Sequence, residues 1–270
     1  MAVPGSWKSL TSDGKDVVLA VDFAVTGRPQ AGFPEFVALA RPQFSLWETL
    51  PPAPEEDAGM TGADYVERWA EDVLREGRPV RAVMGYCVGA VYAAALAERI
   101  GKRQGETPAL IGFDPELPRR DVVCHHFLTT MEGMSGLLKP EEIAHAQQAA
   151  GQALTDESDI KKFGERLLAI FREVGGAAFA RVGLDAKRSE EFVATFGLFL
   201  HFFVRGSDLD PTNGWKSLTA MTSATATSGL NPLSEADRAA RVAKEIRFPV
   251  EHADLLRTPD VATTVTGLLS

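Results

Sequence analysis

The sequence predicts an α/β fold, in which helices flank a mostly parallel central sheet and a helical segment is inserted between two late strands. Three observations predict it. Short apolar runs alternate with helical patterns over residues 17–113, residues 118–205 carry almost only helical patterns, and a strand-like segment returns near residue 218. Such alternation is typical of parallel sheets with helices on their faces. We therefore predict a core of residues 1–117 and 206–270 and a helical insertion of residues 118–205.

The elements of the first half follow from their patterns. Residues 17–23 (VVLAVDF) form a nearly continuous apolar run, as expected of a strand buried on both faces. Residues 65–75 carry apolar side chains at helical spacing. The other predicted elements are a helix at 33–40, a strand at 44–47, a loop at 51–57, a strand at 80–86, a helix at 89–100 and a strand at 109–113.

The second half begins with helices and ends with strands. Acidic residues near the starts and apolar residues at three-to-four spacing predict helices at 140–154, 159–174 and 189–204. Threonine and small residues predict a strand at 218–227. Ser234 and Asp237 resemble a capping box and predict a helix at 234–244, and a strand at 246–250 and an amphipathic terminal helix follow.

Composition narrows the class of protein. The chain has 270 residues, with 28 Lys and Arg against 37 Asp and Glu, so its formal net charge is −9. An acidic chain lacks the clustered cations that nucleic acids require, and we expect no nucleic-acid partner. The two cysteines cannot form a disulfide framework and suit a reducing cytoplasm. The N-terminal residues carry no secretory pattern, and the longest uncharged stretch, residues 82–97, is too short to span a membrane.

The most informative segment is GYCVG at residues 85–89, between an apolar strand and an alanine-rich helix. It matches the nucleophile elbow G-x-S-x-G with Cys87 in place of serine. The glycines remove side chains that would collide with the neighbouring helix and strand, and the tight turn strains the central residue. A thiol at a helix N-terminus is favoured as thiolate, so we expect Cys87 to be the nucleophile. The alternative is a buried structural cysteine.

The expected base is His252. It follows the last strand, precedes the last helix, and comes late in the chain, as the order nucleophile, acid, histidine requires. His145 and His201 fall inside helical patterns, where a packed or partly exposed histidine is the better interpretation. Residues 124–126 (CHH) suggest a metal site, but three adjacent ligands cannot readily converge on one ion, and we expect no metal.

The expected acid is Asp114, at the carboxyl end of the strand that follows the nucleophile helix. Functional loops of parallel sheets gather at that edge. The alternative is an aspartate that only forms a turn before Pro115. Asp208 and Asp210 are candidates only if residues 199–204 form a strand rather than a helix.

The chain carries GYCVGA after a strand, LIGFDPELP one helix later, a helical insertion and the terminal FPVEHADLLRTPDVATTVTGLL. These features resemble the thioesterases of non-ribosomal peptide and polyketide synthesis, in the α/β-hydrolase superfamily. The resemblance runs from about residue 17 through most of the chain. It implies an α/β-hydrolase fold, with Cys87 as nucleophile, Asp114 as acid and His252 as base.

The same resemblance implies an oxyanion hole and a partner. The backbone N–H of Val88 supplies one donor and the loop after the first core strand the other, at Val25 or its neighbour Ala24. The insertion corresponds to the family's lid, which shapes the acyl pocket and receives the phosphopantetheine arm of an acyl or peptidyl carrier protein, and no cofactor of the enzyme's own is implied. Candidates for carrier contacts are Arg119–Arg120 and Lys161–Lys162, and candidates for the acyl pocket are Phe127, Met131, Met134, Phe199 and Phe203.

Cys87 is the main difference from the thioesterase family that the chain resembles, because most members carry serine at the nucleophile position. A cysteine acyl-enzyme is a thioester, nearly matched in energy to the incoming thioester, which favours transfer, ring closure or aminolysis over simple hydrolysis. The predicted function is therefore to accept an acyl or peptidyl chain from a carrier protein and release it by hydrolysis, cyclisation or aminolysis. The alternatives are an acyltransferase between carrier proteins, a dienelactone-hydrolase-like small-ester hydrolase, and a non-catalytic binding module in which Cys87 only fills the turn.

Overall fold

A computed structural model describes residues 5–23 and 30–269. The described residues form seven strands: β1 (Trp7–Ser9), β2 (Val17–Val21), β3 (Ser45–Thr49), β4 (Val80–Tyr86), β5 (Ala109–Phe113), β6 (Leu218–Thr222) and β7 (Lys244–Arg247). They build one sheet in the order β1-β3-β2-β4-β5-β6-β7. Only β1 is antiparallel to its neighbour; the other pairs are parallel. This confirms the predicted mostly parallel sheet, with the helical segment between β5 and β6.

The helices of the described residues complete the α/β arrangement. They are α1 (Phe33–Ala40), α2 (Pro54–Asp57), α3 (Gly62–Arg75), α4 (Gly89–Gln104), α5 (Arg120–Gly133), α6 (Pro140–Asp156), α7 (Ile160–Arg181), α8 (Ala186–Arg205), α9 (Thr212–Trp215), α10 (Glu235–Arg241) and α11 (Pro259–Leu268). Short 3-10 helices cover Gly206–Asp208 and His252–Arg257. In these described parts, no helix combines the length and the hydropathy needed to cross a membrane.

The chain divides into two compact units. The sheet unit comprises Met1–Pro52, Gly59–Leu117 and Asp208–Ser270, and the helical unit comprises Ala53–Ala58 and Pro118–Ser207. The division predicted from the sequence differs in two respects: it assigns residues 53–58 to the core, and it begins the second core segment at residue 206.

The sheet unit is held together by strands buried on both faces. All five residues of β2 are buried, and successive side chains of a strand point to opposite faces, so both faces of the sheet are covered there. Phe113 of β5 contacts the rings of Phe33 and Phe36 of α1, with centroids 5.7 and 6.0 Å apart. Trp69 of α3 packs on Tyr92 of α4 at 5.7 Å. Helices α3 and α4 therefore form one packed group, and α1 packs separately against β5.

Sequence patterns missed two short elements for physical reasons. Strand β1 has three residues, of which only Trp7 is buried, so it is too short to show a period. The predicted loop at 51–57 contains α2 instead. Its sequence PEED places proline at the first helical turn and carboxylates at the positive end of the helix, which favours a helix start.

Three further differences lie later in the chain. Helix α5 was not predicted, since its apolar residues follow no strong helical period. The strand predicted at 218–227 ends at Thr222, because the next residue, Ser223, gives its N–H to a side chain rather than to the sheet. Helix α10 ends at Arg241 and β7 begins at Lys244, two residues before the predicted strand.

A buried ionic cluster joins two segments of the helical unit. Asp57, at the end of α2, is 2% exposed. Its Oδ2 lies 2.6 Å from Nδ1 of His201, and its Oδ1 accepts from the guanidinium of Arg205, both on α8. This cluster accounts for His201, which the sequence analysis had placed inside a helix rather than in the site. It also explains why residues 53–58 belong to the helical unit although they are distant from it in sequence.

We predict that Asp57→Asn destabilises the protein by about 2 to 4 kcal/mol, because it removes the negative charge that faces the mostly buried guanidinium of Arg205. The matched control is Asp156→Asn in the same unit, which breaks a half-exposed pair with Arg166 at 3.9 Å and should cost less than about 1 kcal/mol. Denaturant unfolding measures both values. Equal losses in the two variants would contradict the proposed role of the cluster.

Candidate active site

The turn between β4 and α4 holds Cys87 in a left-handed conformation, with φ of 53°. Its two glycines permit close contacts between backbones. A Cβ at Gly85 would lie 2.5 Å from the Cα of Ala90 in α4, and a Cβ at Gly89 would lie 2.2 Å from the carbonyl oxygen of Val21 in β2. Both distances are far below van der Waals contact. The structure thus confirms the predicted reason for the glycines of GYCVG, and it places Cys87 at the tip of a strained turn.

Asp114 follows β5 and is also left-handed, with φ of 43°. It is fully buried, and both oxygens of its carboxylate are engaged. Oδ1 accepts the N–H of Ser223 at 2.8 Å, and Oδ2 lies 2.8 Å from Nδ1 of His252. Gly229 lets its loop approach this residue, since a Cβ there would lie 2.9 Å from the Cα of Asp114. The carboxylate is therefore fixed in one orientation, toward the imidazole.

His252 is held from three sides. The backbone N–H of His252 donates to Oγ1 of Thr225 at 2.8 Å, and its backbone carbonyl accepts from the hydroxyl of Tyr86 at 3.0 Å. The imidazole also stacks on the ring of Tyr86, with centroids 4.8 Å apart. Because the carboxylate of Asp114 can only accept at Nδ1, that nitrogen carries a hydrogen, and Nε2 is the nitrogen whose lone pair is available in the neutral ring. The arrangement presents Nε2 as a base.

The thiol of Cys87 lies beside a second carboxylate. Cys87 is 4% exposed, and its Sγ lies 3.4 Å from Oε2 of Glu116, which is itself 5% exposed. Burial raises the pKa of the Cys87 thiol well above its ordinary value; the Glu116 charge raises that pKa further, and the backbone N–H of Val88 opposes the rise. The expectation that the helix N-terminus holds a thiolate is therefore wrong in direction. A protonated thiol needs a base before it can attack a carbonyl carbon.

The structure brings most of the predicted site residues to one edge of the sheet. Asp114 and His252 are hydrogen-bonded, and Cys87 lies on the neighbouring strand end, where its N–H donates to the carbonyl of Phe113 at 2.9 Å. The N–H of Val88 faces the Cys87 sulfur. Val25 and its neighbour Ala24 lie outside the described residues.

Sequence reasoning missed three residues of this edge: Tyr86, Glu116 and Ser223. Glu116 offered a signal, because it follows Asp114 by two residues at the same strand end. Tyr86 and Ser223 offered none, since their roles depend on contacts with residues distant in sequence.

Asp208, Asp210 and His145 each have contacts of their own. Residues 199–204 are helical, and Asp208 follows them and accepts the N–H of Gly62 at 3.2 Å. Asp210 caps the start of α9 through the N–H of Thr212 at 2.9 Å. His145 is exposed, 3.9 Å from a carboxylate of Glu173.

Several residues suggested for pocket or partner contacts have roles inside the helical unit. Phe127 and Met131 are fully buried there, and the ring of Phe127 contacts that of Phe196 at 6.0 Å. Arg119 pairs with Asp121 at 2.9 Å, and Arg120 donates to the carbonyl of Leu154 at 2.7 Å. The remaining candidates are Met134, Phe199 and Phe203, of which only Phe203 is fully buried, and the exposed Lys161 and Lys162.

A cavity of about 680 Å³ lies at the opposite edge of the sheet, where β2, β4 and β5 begin. Its lining includes Arg78, Arg81 and Arg103 and none of the predicted site residues. Arg78 is already used structurally, because its guanidinium donates to the carbonyls of Gly14 and Lys15. This cavity is therefore separate from the site around Cys87.

No protein-family model matches the sequence, and no curated protein matches it. Solved structures resemble its fold. One is the NocB thioesterase domain in covalent complex with a fluorophosphonate nocardicin G analog, with a TM-score of 0.54 and 15% identity over 98% of this chain and 99% of that chain. Another is the Vlm2 thioesterase domain with genetically encoded 2,3-diaminopropionic acid and a bound dodecadepsipeptide, with a TM-score of 0.53 and 17% identity over 99% and 97%.

A third is holo-AB3403, a four domain nonribosomal peptide synthetase bound to AMP and glycine. Its TM-score is 0.58 at 12% identity, over 98% of this chain and 20% of that one. At such identities the likeness establishes the fold, which is that of thioesterase domains.

We predict that Gly89→Ala destabilises the protein by at least about 2 kcal/mol, since its Cβ would overlap a backbone oxygen that cannot move alone. The control is Gly151→Ala in α6, where a Cβ meets nothing within 4 Å. That change should stabilise by up to about 1 kcal/mol, because alanine is the better helix former. Denaturant unfolding tests both variants. A neutral Gly89→Ala would show that the turn is not as close-packed as described.

We also predict that Glu116→Gln speeds alkylation of Cys87 by iodoacetamide at about pH 8. Removing the neighbouring charge lowers the thiol pKa, and below that pKa each unit of lowering raises the thiolate fraction about tenfold. In the parent protein the rate should still be rising at about pH 9, because the thiol remains largely protonated there. Mass spectrometry in a Cys124→Ala background follows Cys87 alone, and Glu106→Gln, at an exposed site, should change nothing. An unchanged rate in Glu116→Gln would show that this carboxylate does not control the thiol.

Proposed function

We propose that this chain is a thioesterase-like enzyme of non-ribosomal peptide or polyketide synthesis. It accepts an acyl or peptidyl chain from a carrier-protein thioester onto Cys87 and releases it by hydrolysis, cyclisation or aminolysis. One observation carries the proposal: the Asp114–His252 pair, bonded at 2.8 Å, lies at the same sheet edge as the elbow that presents Cys87. The fold shared with thioesterase domains supports it.

The proposed first step uses Cys87, His252 and Asp114. Nε2 of His252 takes the thiol hydrogen while Sγ of Cys87 attacks the thioester carbon, and the imidazolium then protonates the departing carrier thiol. Asp114 holds the ring and stabilises its positive charge. The N–H of Val88 stabilises the oxyanion, with Val25 proposed as the second donor, and each such donor is worth roughly 3 to 4 kcal/mol in related chemistry.

The protonated state of Cys87 fits this sequence of events. A thiol whose pKa is raised by burial and by Glu116 is not held as an ion pair with histidine, so the base acts during attack, as it does for serine. Substrate arrives on the phosphopantetheine of a carrier protein, and the proposal requires no cofactor of the chain's own. In this proposal the helical unit corresponds to the lid of the family.

A second candidate function, transfer of acyl groups between carrier proteins, is favoured by the cysteine itself. Its acyl-enzyme is a thioester, so passing the acyl group to another thiol is nearly neutral in energy. Hydrolysis and transfer share the first half-reaction and differ only in the second nucleophile.

We predict that an acyl thioester of N-acetylcysteamine, which mimics the phosphopantetheine end, leaves an acyl adduct on the protein. Intact-mass measurement should detect the adduct, and Cys87→Ala should abolish it because the attacking sulfur is gone. Cys124→Ala is the matched control and should acylate normally. Asp114→Asn should slow acylation about 10³- to 10⁴-fold, since the imidazole loses its orientation and its compensating charge.

The second nucleophile decides between the two functions. Decay of the adduct in water alone indicates hydrolysis, whereas decay only with an added thiol or holo-carrier protein indicates transfer, and decay with an amine indicates aminolysis. If short acyl, aminoacyl and peptidyl donors all leave Cys87 unmodified, the catalytic proposal is wrong and the non-catalytic binding module is favoured.

A further inference from the structure

The proposed triad does not use Glu116, which is a chemically active group beside the Cys87 sulfur. Glu116 is 5% exposed, and its Oε2 lies 3.4 Å from the sulfur that we propose to carry the acyl group. Its position is fixed by the backbone, because its own N–H donates to the carbonyl of Cys87 at 3.3 Å. This hydrogen bond keeps the backbone of Glu116 at the turn that carries Cys87.

Acylation changes what this carboxylate can bind. In the resting protein it accepts the S–H of Cys87. Once the sulfur carries an acyl group, that hydrogen is gone, and a buried carboxylate that loses a donor gains free energy by finding another. The second nucleophile, whether water, an amine or a thiol, carries such a donor and must come to the same thioester carbon.

Glu116 and His252 also differ in the groups that their side chains contact. The imidazole is bonded to Asp114 through Nδ1 and offers Nε2, whereas Glu116 contacts the sulfur directly. When the C–S bond breaks, the departing sulfur needs a proton, because burial and neighbouring charge disfavour a thiolate. Glu116 is already in contact with that sulfur.

Resting on the function proposed above, we propose that Glu116 is a second acid–base residue, which serves the deacylation step. Its carboxylate takes the proton of the incoming nucleophile as the new bond to the acyl carbon forms. As the C–S bond breaks, the carboxylic acid returns that proton to the Cys87 sulfur. The acyl group leaves on the nucleophile, and the thiol–carboxylate contact of the resting protein is restored, with no net gain or loss of protons.

A purely electrostatic role for Glu116 predicts the opposite result. If its charge only raised the thiol pKa, Glu116→Gln would make Cys87 a better leaving group and would speed loss of the acyl group. The two roles therefore differ in the sign of one measured rate.

The experiment isolates that rate in the full chain. The parent protein and Glu116→Gln, both with Cys124→Ala, are loaded with the N-acetylcysteamine thioester that acylates the parent, and excess donor is removed. Intact mass then follows decay in water, with an added amine and with added N-acetylcysteamine. We expect Glu116→Gln to acylate at least as fast as the parent and to lose its acyl group about 10²-fold more slowly or worse.

Each other outcome has a defined meaning. Decay in Glu116→Gln that is equal to or faster than the parent overturns the proposal, and so does loss of acylation in a folded variant, which would assign Glu116 to the first step. If Glu116→Gln does not fold, Glu116→Asp replaces it: slow decay with normal acylation supports the proposal, and parental decay overturns it. Failure of the parent to acylate at all is a failure of the proposed function instead, so the two failures are distinguishable.

Discussion

The site depends on how closely the first turn of α4 approaches the ends of β2 and β4. At Gly85 and Gly89 a single added carbon would lie within 2.5 Å of backbone atoms, so the strand and the helix meet with no side chain between them. The chain can turn from one to the other in so little space only if the residue between them adopts positive φ. Cys87 absorbs that strain. Its position is thus a consequence of backbone packing, and the rest of the site is arranged around a sulfur that cannot move far.

The residues around that sulfur give it an unusual charge environment for a nucleophile. The end of β5 places Asp114 and Glu116 nearby, and burial removes the water that would otherwise weaken their effect. The positive end of α4 and the N–H of Val88 act in the opposite sense and are outweighed, so the pKa of the thiol rises. A thiol of this kind resists oxidation and stray alkylation, because both reactions need the thiolate. It becomes reactive when a base is within reach, which is the role that we propose for the Asp114–His252 pair.

The apolar pattern of the sequence predicts most of the sheet, because β2, β4 and β5 are buried on both faces and their sequences are nearly continuous apolar runs. The turn at Cys87 and the position of Asp114 at the end of β5 were also predictable, since both depend on residues close together in sequence. What could not be predicted depends on contacts between distant residues. The pairing of Asp57 with α8, and the carboxylate of Glu116 beside the thiol, exist only once the chain has folded. The pKa of the Cys87 thiol is raised and not lowered as the sequence predicts, and the reason is the same. A helix N-terminus can be recognised in the sequence, whereas burial and a neighbouring charge cannot.

The raised thiol pKa has a consequence for the choice of cysteine over serine. A thioester acyl-enzyme stores little extra energy relative to its donor, so the barrier to the second step lies in forming the new bond and expelling the sulfur. Expelling a thiolate into a buried, carboxylate-lined space is costly, and the cost falls if the sulfur is protonated as it leaves. In the proposed function, the Cys87–Glu116 contact therefore serves the departing sulfur, which is a physical reason to favour a thioester intermediate at this site.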